Sequence, residues 1–341
     1  MAHRNFSVID YFDRRTAGWQ PLLSFRGTTQ AEWQSWRAAA LDKLLELLGE
    51  FPQPVDPAPE VIYAVEEDGL IRERVILDTE EFMSMPCIVL RPADMPANGK
   101  GRAIICSHGH GPYGKEPVAG NRSTPELRAN IALHHYNYGE EMARRGYLTI
   151  CPDLRVFGER ADGGNPFPGR DRCNVHFIRG AMLGIYTLTL NIWDMKCCVD
   201  YLQTRPEVDP ERIGMMGLSQ GGTMTTFTAA VEPRIKAADI IAYVNPWERF
   251  RDSNCGSQIV PNIFKYLDTH DIAGLIAPRP LLLEMGVHDT CFPIEAMLKG
   301  YEGVRRIYRA AGVEDRLWAD VHPGEHAFAA NRAYSFFDTY L

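Results

Sequence analysis

Apolar positions along the chain fall into three successive patterns. After Thr29, the residues Trp33, Trp36, Ala40, Leu44 and Leu47 return every three or four positions, which marks one face of an amphipathic helix. Thr29 followed by Glu32 has the spacing of a capping box, so the helix is expected to start there. Gly49 and the prolines of FPQPVDPAPE (51–60) stop it. From residue 61 the pattern shortens to strand-like runs, VIYAVEE (61–67), IRERVILDT (71–79) and MPCIVL (85–90), in hairpin-like succession. Then strands and helices alternate. AIICSH (103–108) precedes a helix near 134–145, YLTICP (147–152) one near 184–204, and IGMMG (213–217) one near 220–231. AADIIAY (237–243) follows. PLLLEMGV (280–287) leads to a helix near 294–311, and RLWADV (316–321) to a last helix near 328–340. Alternation of this kind predicts the α/β class: a mostly parallel central sheet with helices on both faces.

This pattern divides the chain into an N-terminal helical arm with a Pro-rich linker, 1–59, and a catalytic domain, 60–341. The arm is expected to pack on the main body, with a homo-oligomer contact as the alternative. Three connections, 109–133, 153–183 and 244–279, are long for a compact domain. Each follows a strand, so all three should emerge at the carboxyl end of the sheet, where open α/β folds bind ligands.

Composition narrows the classes of function. The 341 residues carry a net charge of −8, with no basic stripe, which argues against a nucleic-acid or anionic-membrane partner. The first residues, MAHRNFSVIDYFDRRTAGW, hold no apolar signal-like run. Eight cysteines without CxxC pairs do not form a disulfide framework at this length, and a reducing, cytoplasmic setting is expected.

The stretch RIGMMGLSQGGTMTTFTAA (212–230) contains Gly217-Leu218-Ser219-Gln220-Gly221. With a strand before it and a helix after, G-x-S-x-G describes a nucleophile elbow that lifts the serine hydroxyl above the sheet. The backbone N–H of Gln220 would then point at a developing oxyanion, at the positive end of the next helix. A serine nucleophile needs a base oriented by a carboxylate, in the chain order Ser, acid, His. Asp289, just past PLLLEMGV, is the preferred acid; Glu284, inside that strand, is the weaker one. Of the two histidines in HPGEHAF (322–328), His326 sits in a loop and is preferred as base, whereas His322 sits at a strand end. SHGHG (107–111) follows the first parallel strand and fits the HG-x-G loop that supplies a second oxyanion donor, assigned to the backbone of His110. The pair His108 and His110 also invites a metal reading, but no third ligand of suitable spacing accompanies it. No metal and no cofactor are therefore expected. Tyr243 and Trp247, after a strand end, and Arg155 are candidates for contacting substrate, with loop packing and local salt bridges as the alternatives.

Together these residues resemble the α/β-hydrolase superfamily over about 60–341, antiparallel strands first and a parallel set after. GLSQGG is similar to the acetyl xylan esterase and cephalosporin C deacetylase family, whose nucleophile is likewise followed by Gln-Gly-Gly. The layout also resembles the dienelactone-hydrolase-like group. The resemblance implies a serine esterase with Ser219, Asp289 and His326 as its triad, acting on a small-molecule or carbohydrate ester, with short acyl groups preferred. A lactone hydrolase, a peptidase of the same fold and a non-catalytic binding protein are the other readings. The chain differs from the deacetylases where they have Arg-Gly-Gln and it reads DLRVFGER (153–160), and in having Ala327 after His326 where they have Glu.

Overall fold

A computed structural model describes residues 4–162, 167–250 and 254–341. The parts of the second and third long connections at 163–166 and 251–253 lie outside the described residues. Nine strands form one sheet: β1 (Glu60–Glu67), β2 (Leu70–Glu80), β3 (Met83–Pro92), β4 (Gly101–Ser107), β5 (Leu148–Pro152), β6 (Val208–Leu218), β7 (Ala237–Ile241), β8 (Leu281–Gly286) and β9 (Leu317–His322). Their order is β1-β2-β3-β5-β4-β6-β7-β8-β9. The first three pair antiparallel with their neighbours, and β3 pairs antiparallel with β5. From β5 to β9 every pairing is parallel. The apolar runs of β4, β5, β7 and β8 are buried almost throughout, as expected for parallel strands covered on both faces. β1, at the edge, is exposed along its whole length.

The helix expected after Thr29 spans Gln30–Leu48, with the Thr29–Glu32 capping box formed on both sides. Trp33, Ala40, Leu44 and Leu48 are buried in the same core cluster as the sheet, with Trp36 and Leu47 packed against it. Within the arm Trp36 Nε1 donates to the Leu23 carbonyl at 2.6 Å, and across to the main body Arg37 Nε donates to that of Ala277 at 3.1 Å. The arm thus packs on the main body.

Three element boundaries depart from the sequence pattern. The helix expected near 134–145 is two, Pro125–His134 and Tyr138–Arg144, because His135 takes a left-handed turn (φ 47°) between them. The last helix begins only at Ala333. The residues before it are held out of a helix by tertiary bonds, Phe328 N–H to the His134 carbonyl and Ala329 N–H to the Glu284 carboxylate. Helices at Arg172–Ala181 and Thr269–Gly274 lie inside the second and third long connections, and Val8–Thr16 is a further helix of the arm, ahead of the expected one.

Candidate active site

Ser219 forms the turn between β6 and the helix Gln220–Val231 at φ 62° and ψ −113°, a region that residues with side chains rarely adopt. The turn is pinned by a 2.9 Å bond from its N–H to the Ile241 carbonyl. Such a turn is possible only because its neighbours lack side chains. A Cβ on Gly217 would lie 2.5 Å from the Gly221 carbonyl, and one on Gly222 would lie 2.7 Å from Tyr243 Cβ. The glycines that flank the serine are therefore set by close backbone approach. The helix adds its orphan first-turn N–H groups, of which that of Gln220 comes first.

His326 lies on the loop after β9, and its Nδ1 is 2.8 Å from Asp289 Oδ2. Asp289, buried past β8, accepts at its other oxygen from the N–H groups of Cys291 (2.7 Å) and Phe292 (2.8 Å). The Phe292 ring stacks on that of His326, 5.6 Å between centroids at 21°. Carboxylate and aromatic ring together fix the plane of the imidazole and leave Nε2 for chemistry. His134 bonds the His326 carbonyl from Nδ1 at 2.7 Å and sets its ring edge-on to the His326 ring. Ser219 and His326 line one small cavity of about 50 Å³ together with His110, Tyr113, His134 and Tyr136.

The alternatives for acid and base are located elsewhere. Glu284 is fully buried in β8 beside Asp320 of β9, with Asp239 one strand over on β7. Burial pushes its carboxyl up to about 8, and its Oε2 accepts from Ala329 N–H at 2.9 Å. His322 is buried at the end of β9, with Nδ1 accepting from Gly324 N–H at 3.2 Å. Its pKa is lowered by burial.

The loop after β4 turns over the serine. His108 is fully buried, with Nδ1 2.7 Å from the Gly109 carbonyl and Nε2 accepting from Leu154 N–H at 3.0 Å. Both ring nitrogens are thus occupied, so it cannot join His110 on a metal. Gly109 N–H donates to the Tyr136 hydroxyl at 2.5 Å. The His110 N–H makes no hydrogen bond to another backbone group among the described residues, and His110 lines the Ser219 cavity. Lys115 anchors this loop. Fully buried, it donates to Asp153 Oδ2 at 2.7 Å and Glu159 Oε1 at 2.6 Å, on the loop after β5. Its own N–H reaches Asp153 Oδ1 at 2.8 Å.

The three substrate-contact candidates are corrected by the structure. Tyr243 (1% exposed) and Trp247 (3%) belong to the apolar core, and neither lines the Ser219 cavity. Trp247 Nε1 donates to the Leu267 carbonyl at 3.2 Å, and the Tyr243 ring meets Phe292 edge-on. Arg155 is buried in ion pairs with Asp194 (2.9 Å) and Glu80 (2.5 Å), away from the cavity. Sequence reasoning also missed Cys173 and Cys255, which meet His110 beside the cavity. They sit on two different connections, and nothing in their spacing pairs them.

A mostly parallel sheet with antiparallel strands at one edge, and a serine raised on the turn from a central strand into a helix, defines the α/β-hydrolase fold. The chain belongs to the Abhydrolase family, whose model matches residues 15–330 and so takes in the arm helix. It is 28% identical over 286 residues to the provisionally named hydrolase YtaP of Bacillus subtilis, covering 82% of this chain and 90% of that one. A Bacteroides fragilis structure provisionally assigned to the acetyl xylan esterases superposes with a TM-score of 0.77 at 19% identity, covering 94% of this chain and 83% of the other. A glucuronoyl esterase from Solibacter usitatus superposes with a TM-score of 0.69 at 16% identity, over 93% and 95%. At these identities the structural likeness concerns the fold. Among the described residues no helix is long and apolar enough to cross a membrane.

Proposed function

We propose that the protein is a carboxylic-ester hydrolase working through an acyl-enzyme on Ser219. The observation that carries this reading is the bonded pair His326–Asp289 opening on the same cavity as the elbow serine. His326 Nε2 takes the proton as Ser219 Oγ bonds to the ester carbonyl carbon, and Asp289 holds the imidazole tautomer. The N–H groups of Gln220 and His110 stabilise the oxyanion. Collapse breaks the bond to the alcohol, which leaves with the proton from His326. Water, deprotonated by the same histidine, then releases the acid. The catalytic unit in this reading is 60–341, with 1–59 packed on it as an arm.

The size of the cavity supports short acyl groups. About 50 Å³ around Ser219 is room for a few waters, enough for an acetyl group and too little for a long chain. A larger cleft of about 470 Å³ adjoins it through His110 and Gly111 and can take the alcohol. The neighbours named for acetyl xylan and glucuronoyl esters make a carbohydrate alcohol the first class to try. Ser219→Ala should lower turnover of an aryl acetate on the order of 10⁴-fold with the unfolding curve unchanged. A variant that keeps a tenth of the activity would remove Ser219 as nucleophile. Faster turnover of an aryl decanoate than of the acetate would overturn the acyl preference.

A further inference from the structure

Beside the cavity, three donors from three separate segments converge. His110 comes from the loop after β4, Cys173 from the helix Arg172–Ala181, and Cys255 from the N-cap of the short turn Gly256–Gln258. The Cys173 Sγ and His110 Nε2 are 3.5 Å apart, and the ligand atoms of all three lie within 4.8 Å of one another. Around a tetrahedral zinc, with bonds of about 2.3 Å to sulfur and 2.0 Å to nitrogen, ligand atoms stand roughly 3.5–3.8 Å apart. The spacing therefore suits an ion with only a small inward movement. We propose that His110, Cys173 and Cys255 form a zinc-binding site with a fourth position open to water.

The surroundings fit such a site. Gly256 N–H donates to Asn174 Oδ1 at 2.9 Å, tying the two cysteine-bearing segments together without the metal. The Phe157 ring packs edge-on against His110 at 5.0 Å and restricts its orientation. The Ser257 hydroxyl, 2.8 Å from Cys255 Sγ, is an outer partner of the kind that orients metal ligands. The cleft lined by His110, Pro112, Phe157, Asp171 and Cys173 opens a path for the ion. Binding is balanced: Zn²⁺ joins the neutral His110 imidazole nitrogen and two thiolate sulfurs, and the thiol protons of Cys173 and Cys255 are released to solvent. Soft thiolate donors select zinc over magnesium or calcium. Because His110 lines the same cavity as Ser219, a bound ion would fix the loop that carries a proposed oxyanion donor.

The test titrates the reduced full-length chain with Co²⁺, a coloured stand-in for zinc, and then displaces it with Zn²⁺. One Co²⁺ per chain with a thiolate-to-cobalt absorption band is expected. Cys173→Ser and Cys255→Ser should each weaken binding by about tenfold or more and diminish the band, while Cys291→Ser, beside His326, leaves both intact. In the unaltered chain, Zn²⁺ should also protect Cys255 from alkylation, which needs no variant to fold. Absence of Co²⁺ binding, a band kept in both cysteine variants or lost with Cys291→Ser, or alkylation indifferent to zinc would each overturn the site. None of these readouts depends on ester turnover, so failure of the hydrolase reading would leave this one standing.

Discussion

His322, the last residue of β9, and His326, on the loop after it, stand four residues apart, and their surroundings give them different work. His326 is bonded to Asp289 and stacked on Phe292, with its edge open to the cavity. His322 is buried, held by Gly324 N–H, and kept neutral by burial. Replacing His326 with Ala should therefore cost about as much activity as Ser219→Ala, and the double variant should be little worse, because such groups act as a unit. His322→Ala should lose far less turnover and show its effect in thermal stability; an aryl-acetate assay on the four variants decides. These residues were legible in the sequence because the elbow has a local cause, glycines forced by close approach, and because its partners come at strand ends in a fixed order. Tyr243, Trp247 and Arg155 were misjudged because exposure after a strand end depends on which loop covers it, a tertiary fact absent from local pattern. Cys173 and Cys255 were invisible for the same reason.

At the scale of elements, the loop over the serine is held from behind by a buried ion pair. Lys115 and Asp153 have side chains 1% and 0% exposed, and Glu159 completes the set. Removing one partner of a buried pair strands the other charge, at a cost of about 3–5 kcal/mol. Lys115→Met should therefore destabilise the protein by that order in chemical denaturation and lower turnover by displacing the His110 loop. Lys115→Met with Asp153→Asn should recover part of the stability. If the single variant unfolds like the unaltered chain, the anchor is not structural. The pattern of apolar residues gave the strands and long helices, since 3.6- and two-residue periods are local signals. It missed the short helices within the long connections, which rest on caps and tertiary bonds rather than on a stripe long enough to read.

Across the whole molecule, the second half of the sheet carries three buried acids, Asp239, Glu284 and Asp320, on adjacent strands. Burial raises Glu284 to about 8 and Asp239 well above its ordinary value. A carboxyl whose pKa is higher in the folded state binds more protons there, so stability falls as pH rises from the unfolded value near 4.3 toward about 8. Glu284→Gln should flatten that loss, with the gain in melting temperature larger at pH 9 than at pH 5. An equal shift at both values would mean that ionisation of Glu284 is not what the alkaline side costs. The opposite end of the sheet behaves differently. Among the described residues β1 pairs only with β2, through a register shift between Val61 and Tyr63, and is exposed on both faces. Its amides can exchange with solvent by peeling of one strand, whereas those of β4 and β6 must wait for the whole domain to open. Hydrogen–deuterium exchange should thus run as a gradient across the sheet, fastest at the edge farthest from the elbow, so that the chain can fray there while the catalytic geometry stays intact.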